Sequence, residues 1–244
     1  MKRKREKMYN KQTYLLLKKI KQLDLYDLLQ ENNVMIAGGA IRSVFANEKI
    51  KDYDLYFKTK KELLEVKSHI SKDFDLVSET DNAYTFSKNN AIIQIIRMPE
   101  MILEDPQHII DQFDYSICMG IYDIKQRKFI LGETFLEDIA RKELRYNIGR
   151  YPLASLFRIR KYLQRGYYIS GTEIIKIGLA INNLNMRTYG DLKVQLQGID
   201  TLFLRELTDK LLSDEYSEKE YDFMEFIDMI NEYYNEKFEN LFGG

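Results

Sequence analysis

A short stretch around residue 40 constrains the fold of this chain more than any other. Residues 34–37 form a brief apolar run, two glycines follow, and residues 40–46 continue with a helix-like pattern. Residues 53–57 then have the pattern of a second strand, in which aromatic and leucine side chains surround an aspartate. A strand, a glycine turn, a helix and another strand in quick succession predict a mixed domain built on a sheet.

The second strand carries an acid pair, Asp52 and Asp54, separated by one tyrosine. Side chains two residues apart on a strand project from the same face, so we expect the two carboxylates to lie close together. Carboxylates that close repel each other unless a cation lies between them, and Mg²⁺ prefers such oxygen ligands. An acid pair alone is more often a strand end that faces water.

The glycine turn before this strand has the composition of a phosphate-binding turn. Gly38 and Gly39 leave room for a phosphate to approach the backbone, where N–H groups at the start of a helix can face an anion. Arg42 and Ser43, one turn into the helix, can add a guanidinium and a hydroxyl. The dinucleotide-binding G-x-G-x-x-G fingerprint and the P-loop motif are both absent, so neither of those folds is indicated.

The rest of the chain divides into two parts. Before Gly132 the pattern predicts alternating helices and strands, and after it strand signals vanish and helical periodicity continues to about residue 242. We therefore predict a mixed domain over residues 1–132 and an all-helical domain over residues 133–244. In the first domain we expect helices over 5–30, 40–46, 60–70 and 98–112, the last of them broken near Pro106, and strands over 34–37, 53–57, 74–78, 83–87, 91–97, 115–122 and 128–131.

Charge is concentrated at the start of the helical part. Residues 141–168 contain eight Lys or Arg side chains and a single acid. Arg158, Lys161 and Arg165 are spaced three and then four residues apart, so they fall on one helix face. Such a basic stripe is suited to RNA phosphates, as is the basic arm of residues 2–7.

Composition excludes several classes of protein. Cys118 is the only cysteine, so no intramolecular disulfide can form and a reducing compartment such as the cytoplasm is expected. Two histidines are too few for a histidine-rich metal site. No apolar run approaches 18 residues, so no membrane span is predicted.

The motifs together resemble a known superfamily. G-G-A-I-R-S followed by D-Y-D is similar to the motif of nucleotidyltransferases of the DNA polymerase beta superfamily, and more narrowly of CCA-adding enzymes and bacterial poly(A) polymerases of class II. Two further segments, FDYSICMGIYD (113–123) and PLASLFRIRKYLQRGY (152–167), resemble motifs of the same branch. The resemblance covers about residues 33–168 and is greatest to short phage- or virus-encoded members. It implies an α+β fold: a polymerase-beta-like domain, in which helices flank a mixed sheet, followed by a helical domain.

The resemblance also implies roles for individual residues. Asp52 and Asp54 would be catalytic and would hold two Mg²⁺ ions, and the substrate would be a nucleoside triphosphate, ATP or CTP. The acceptor would be an RNA 3′ end, with Arg165 contacting the RNA. The residues implied in nucleotide binding are Gly38, Gly39, Arg42, Ser43, Asp114, Arg158 and Lys161.

Several positions depart from the pattern of that branch. Ser43 stands where an acid is usual, and Gln94 occupies the position expected of a third acid. Gln112 and Phe113 replace two arginines that precede Asp114. Three functions therefore remain open: nucleotide transfer to RNA, transfer to a protein or small-molecule hydroxyl, and nucleotide or RNA binding without catalysis. A phage-encoded protein of any of these kinds would act in the host cytoplasm, and its oligomeric state is not indicated.

Overall fold

A computed structural model describes residues 9–102, 105–196 and 218–242 of the chain. The chain forms two compact units, Met1–Asn147 and Ile148–Gly244. This division falls later than the change of pattern at residue 132, because the segment after it packs into the first unit. Phe135 is fully buried there and meets the ring of Phe45 edge-to-face, with centroids 5.4 Å apart.

The first unit is built on a seven-stranded sheet with the order β3-β4-β5-β2-β1-β6-β7. Neighbouring strands are antiparallel except β2 and β5, which are parallel, so the sheet is mixed. The strands are β1 (Met35–Ala37), β2 (Asp52–Tyr56), β3 (Asp75–Glu79), β4 (Ala83–Lys88), β5 (Ala91–Ile96), β6 (Gly120–Asp123) and β7 (Lys128–Leu131).

Among the described residues of this unit, six α-helices and one further short strand accompany the sheet. They are α1 (Asn10–Lys21), α2 (Tyr26–Glu31), α3 (Gly39–Phe45), α4 (Lys60–Asp73), α5 (Pro106–Asp111), α6 (Phe135–Arg141) and β8 (Glu143–Leu144). Thr59 caps α4 through a reciprocal capping box with Glu62, which explains why this helix begins where the sequence predicts it.

Three predicted elements of the first unit are wrong in detail. Residues 5–8 of the single helix expected over 5–30 lie outside the described residues, and the remainder is two helices, because the chain turns at Asp24, whose φ is 57°. The segment 98–112 is interrupted before Pro106 as expected, but its first part forms only the 3₁₀ turn Pro99–Met101, and α5 follows. The strand expected over 115–122 is the 3₁₀ turn Ser116–Cys118 followed by β6, since a buried apolar run alone does not separate strand from helix.

The two faces of the sheet are covered unequally. Helices α1, α3 and α4 cover one face and form the main apolar core with the buried residues of β2, β4 and β5. A smaller cluster on the opposite face contains Tyr56 together with Met101, Ile109 and Ile110. This second cluster lies against only one end of β2, so the acid pair at its other end is left partly exposed.

The second unit is helical over its described residues apart from the two-residue strand β9. Its elements are α7 (Pro152–Leu163), β9 (Tyr168–Ile169), α8 (Gly171–Asn182), α9 (Tyr189–Gln195) and α10 (Phe223–Phe242). The strands β8 and β9 correct the expectation that strands are absent after residue 132. Side chains early in α10, among them Phe226 and Met229, pack against the buried Tyr189 and Leu192 of α9. Over the described parts of the chain, no helix combines the length and apolar character needed to cross a bilayer.

Candidate functional site

The acid pair lies on the central strand β2, at the less covered face of the sheet. Tyr53 and Leu55 point into the main core, where they are 4% and 0% exposed. Because side chains alternate along a strand, Asp52 and Asp54 project together from the opposite face, and both are partly exposed. Burial raises the pKa of Tyr53 to about 12, which is consistent with its place in the core.

The glycine turn lies directly against both carboxylates. Gly38 has a φ of +71°, a conformation that residues with a Cβ rarely adopt, and its N–H donates to the carbonyl of Gly120. A Cβ at Gly38 would lie 3.4 Å from Oδ2 of Asp54, and a Cβ at Gly39 would lie 3.8 Å from Oδ1 of Asp52. The turn therefore places no side chain of its own between the backbone and the acid pair.

An aromatic ring borders the same turn. A Cβ at Gly38 would lie only 2.9 Å from Cε1 of Phe113, so the absence of a side chain at this position makes room for the ring. Phe113 is partly exposed and meets the ring of Tyr56 edge-on, with centroids 6.4 Å apart. The sequence identified Phe113 only as a replacement for an arginine, and its contact with the turn could not be read from the motif.

Asn147 fixes the backbone that carries this ring. Its Nδ2 donates to the carbonyls of Asp111 and Phe113, each at 3.0 Å, and its N–H donates to the carbonyl of Asp114 at 2.8 Å. Asp114 itself is 7% exposed. The end of α5 and the residues after it are thus fastened to the backbone and side chain of Asn147.

Gln94 lies beside the acid pair. In the parallel pairing of β2 with β5, Gln94 is the register partner of Asp54, and Thr85 on β4 is in turn the partner of Gln94. Register partners share a face of the sheet, so a row of polar side chains extends from Asp54 towards the sheet edge. Within residues 9–102, 105–196 and 218–242, no group of three or more His, Cys, Asp or Glu side chains could hold a metal ion.

Arg42 and Ser43 are placed differently from the acid pair. They are 2% and 4% exposed, and Nη2 of Arg42 donates to Oγ of Ser43 at 3.0 Å. Nη1 of Arg42 donates to Oε2 of Glu48 at 2.9 Å, a contact that the motif did not indicate. The structure thus directs this guanidinium towards Glu48, and its role in nucleotide binding stays a prediction.

The remaining predicted residues belong to the second unit. Arg158 and Lys161 lie on α7, Arg165 follows its C-terminal end, and all three are partly exposed. The guanidinium of Arg165 lies 6.0 Å from the ring centroid of Tyr162. The roles of these three cations in nucleotide or RNA binding also stay predictions.

Solved structures share this fold. The Thermotoga maritima CCA-adding enzyme complexed with tRNA is 17% identical in sequence and superposes with a TM-score of 0.54. The match covers 90% of this chain and 53% of that enzyme. A CCA-adding enzyme in complex with CTP is 18% identical, and the match covers 94% of this chain and 55% of that enzyme. A CCA-adding enzyme in complex with ATP is 17% identical, and the match covers 94% of this chain and 62% of that enzyme. Both superpose with a TM-score of 0.54. The predicted α+β nucleotidyltransferase fold is thereby confirmed.

Sequence relatives give the family. A protein named "Gabija anti-defense 2" from Bacillus phage SPbetaL7 is 34% identical over 209 residues, which is 85% of this chain and 50% of that protein. This chain therefore spans about half the length of that relative, and the phage origin of the relative agrees with the phage-type resemblance. Residues 7–142 match the model of the family described as "Gad2: Gabija anti-defense 2 family protein". On both grounds, the chain belongs to the Gabija anti-defense 2 family.

Proposed function

We propose that this chain is a magnesium-dependent nucleotidyltransferase, which moves a nucleoside monophosphate from a nucleoside triphosphate to a hydroxyl group. One observation carries the proposal: Asp52 and Asp54 share an open face of the sheet, and the glycine turn lies against both carboxylates. Backbone conformation and the ring of Phe113 account for Gly38, but an acid pair that merely faced water would not need a glycine at position 39.

The side chains at this position fit magnesium. Mg²⁺ is usually bound through one or two carboxylates, retains several waters and takes further oxygen ligands from substrate phosphates. Asp52 and Asp54 supply the carboxylates, and Gln94 on the next strand can offer a neutral amide oxygen. When bound, the predicted two ions would lower the pKa of the acceptor hydroxyl and neutralise charge on the triphosphate.

The protein groups around the acid pair would orient the substrate. The clearance beside Gly39 lets the triphosphate approach the backbone, and the exposed part of Phe113 offers an apolar surface to the nucleoside. The acceptor oxygen then forms a bond to the α-phosphorus in line with the bond that breaks, and pyrophosphate leaves. Holding these atoms in line is the main contribution that the protein makes.

The proposed donor and acceptor are supported by the ligands in the structures of similar proteins. Two of the similar structures are complexes with CTP and with ATP, and another contains tRNA, which favours ATP or CTP as donor and an RNA 3′ end as acceptor. The basic stripe of Arg158, Lys161 and Arg165 agrees with an RNA acceptor. Action in the host cytoplasm follows from the phage origin of the relative.

The family name adds a biological role to the proposal. The relative is named as an anti-defense protein directed at Gabija, and we extend that role to this chain, with nucleotide transfer as its means. Transfer to a protein or small-molecule hydroxyl would serve the same role. A non-catalytic binding protein is the second candidate, favoured by the uncharged Gln94 beside Asp54.

A labelling experiment tests the proposed activity. The wild-type chain is incubated with Mg²⁺ and each α-³²P-labelled nucleoside triphosphate, together with tRNA, total cell protein or a metabolite extract. We expect label to enter one of these acceptors and to be lost in Asp54→Asn, because a neutral amide binds Mg²⁺ poorly.

Asp75→Asn is the matched control for that substitution. Asp75 is an exposed acid on the edge strand β3 of the same sheet, so its loss changes the net charge equally but not the acid pair. Label in the RNA fraction supports the main proposal, and label in protein or metabolites supports the other acceptors. Equal labelling by Asp54→Asn and wild type would refute the assignment of the acid pair, and no labelling at all would favour the non-catalytic candidate.

A further inference from the structure

One face of the first helix is basic and aromatic. Lys11, Tyr14, Lys18 and Lys21 are spaced three, four and three residues apart along α1, so they lie on one side of the helix, and all four are exposed. The other side of α1 is buried in the main core through Leu16, Leu17 and Ile20. Tyr14 is an aromatic side chain on this exposed face, and it is 62% exposed.

The turn between β6 and β7 extends this basic surface. Lys125, Arg127 and Lys128 are all exposed there. A groove of about 550 Å³ lies between α1 and Arg127, and none of the side chains that line it is acidic. Burial raises the pKa of Tyr122 on β6 and the charge of Arg127 opposes that shift, so the guanidinium lies close to this buried phenol. Arg127 is therefore part of the groove wall.

Stabilisation of a helix C-terminus explains only some of the cations on this surface. Lys18 and Lys21 lie in the last turn of α1, where positive charge stabilises a helix. Lys11 lies in the first turn, where a cation is unfavourable, and Arg127 is not on a helix. No ion pair to a carboxylate involves any of these side chains in the part of the chain that the structure describes. A ligand that carries negative charge would account for all of them.

We propose that this surface, here called the α1 surface (Lys11, Tyr14, Lys18, Lys21 and Arg127), binds a single-stranded nucleic acid, with one base stacked on Tyr14. Proteins that bind single strands combine a positively charged groove with exposed aromatic rings, on which unpaired bases stack. A duplex would use the positive charge but not the ring, because its bases are already stacked. Lys11 and Lys21 are about 15 Å apart along the helix axis, a length that fits several backbone phosphates.

The α1 surface is separate from the acid pair. Helix α1 packs into the core on the face of the sheet opposite to that of Asp52 and Asp54. Binding at the α1 surface therefore does not depend on the proposed nucleotide transfer, and it would give the protein a second contact with nucleic acid.

Fluorescence anisotropy with labelled 12-nucleotide single strands of RNA and DNA tests the proposal on the full chain. The test variant is Lys18→Gln/Lys21→Gln/Arg127→Gln. We expect the variant to lose at least tenfold in affinity. The plot of log affinity against log salt concentration should also become flatter, by about 0.7 in slope for each phosphate that the variant no longer neutralises. The substitutions are exposed and neutral, and a thermal melt checks that the fold is kept.

A matched control separates this surface from general charge. Lys60→Gln/Lys61→Gln/Lys72→Gln removes the same charge from α4, where the side chains that line the neighbouring groove include Glu65 and His69 but no Phe, Tyr or Trp. We expect this variant to bind within about twofold of wild type. Equal losses in the two triple variants would mean that only overall charge matters, and would overturn the proposal.

Substitution of Tyr14 tests the stacking contact. Base stacking on an aromatic ring contributes about 1–3 kcal/mol, so Tyr14→Ser should weaken single-strand binding at least fivefold, whereas Tyr14→Phe should keep it. A duplex of the same sequence should bind wild type more weakly than the single strand does. If Tyr14→Ser binds like wild type, or the duplex binds more tightly, a stacked single strand is not the ligand.

Discussion

At the scale of single residues, the two adjacent positions 38 and 39 are glycine for different structural reasons. Gly38 is required by its positive φ and by the ring of Phe113, whereas Gly39 has an ordinary backbone and would place a Cβ beside the carboxylate of Asp52. Only Gly39 can therefore be substituted without direct strain, which makes it the better probe of the site.

We predict that Gly39→Val weakens nucleotide binding while leaving the fold largely intact. The added side chain would crowd the space next to Asp52 that a phosphate needs. Isothermal titration calorimetry with Mg²⁺ and ATP or CTP measures the effect, and a loss of tenfold or more is expected. Gly178→Val is the control, because a Cβ at that position meets nothing within 4 Å. Equal nucleotide affinity in Gly39→Val and wild type would remove the turn from the site.

Phe113 gives a second prediction at this scale. If its ring contacts the nucleoside, Phe113→Leu should weaken ATP binding about fivefold or more but leave inorganic tripolyphosphate binding unchanged, since only the nucleoside offers a surface to stack. Phe113→Tyr should bind ATP like wild type. Weakening of both ligands would instead indicate a disturbed turn at Gly38.

At the scale of elements, a buried ion pair joins α6 to β8. Asp138 is fully buried, and its carboxylate accepts two hydrogen bonds from Arg145, at 3.0 and 3.1 Å. Burial by itself would raise the pKa of Asp138, but hydrogen bonds from Arg145, Ser116 and Thr134, together with the charge of Arg145, outweigh it and hold that pKa below its ordinary value. The carbonyl of Arg145 also accepts from the N–H of Ser116, so the pair helps to anchor the 3₁₀ turn.

The pair makes stability depend on pH. A carboxyl whose pKa is lowered by folding stabilises the fold above its unfolded pKa, and that contribution is lost as the pH falls through the lower, folded value. Asp138→Asn should reduce the free energy of unfolding by about 2 kcal/mol at pH 7, less than for a fully buried pair because Arg145 is 42% exposed.

Urea unfolding at pH 7 and at several values below pH 4 checks this expectation. The difference between Asp138→Asn and wild type should narrow in the acidic range. Glu137→Gln is the neighbouring control, because its ion pair with Arg141 is exposed on both sides and should contribute about 0.5 kcal/mol or less. A constant difference at all pH values would show that packing, not charge, is responsible.

At the scale of the whole molecule, the question is whether catalysis serves the anti-defense role. The chain covers only half of its phage relative, so the role of that relative comes to this chain as a proposal. We predict that expression of the chain raises phage plating efficiency in cells that carry Gabija and that Asp54→Asn does not. Asp75→Asn should act like wild type. Full activity of Asp54→Asn, at equal protein levels, would mean that binding without transfer is sufficient.

The sequence by itself determined those features that depend only on residues close to one another along the chain. The two-residue period places Asp52 and Asp54 on one face, Gly38 and Gly39 mark the turn between β1 and α3, and Thr59 marks the start of α4. Each of these follows from the local backbone geometry, and each could be predicted without knowledge of the rest of the chain.

Only the tertiary structure decided which distant segments meet at the site. The parallel pairing of β2 and β5 brings Gln94 beside Asp54, and the loop after α5 places Phe113 against Gly38. Arg42 forms an ion pair with Glu48 that the motif did not indicate, and Phe135 draws α6 into the first unit. These contacts depend on strand register, core packing and charge pairing between separate elements, and a local pattern of residues contains no information on them.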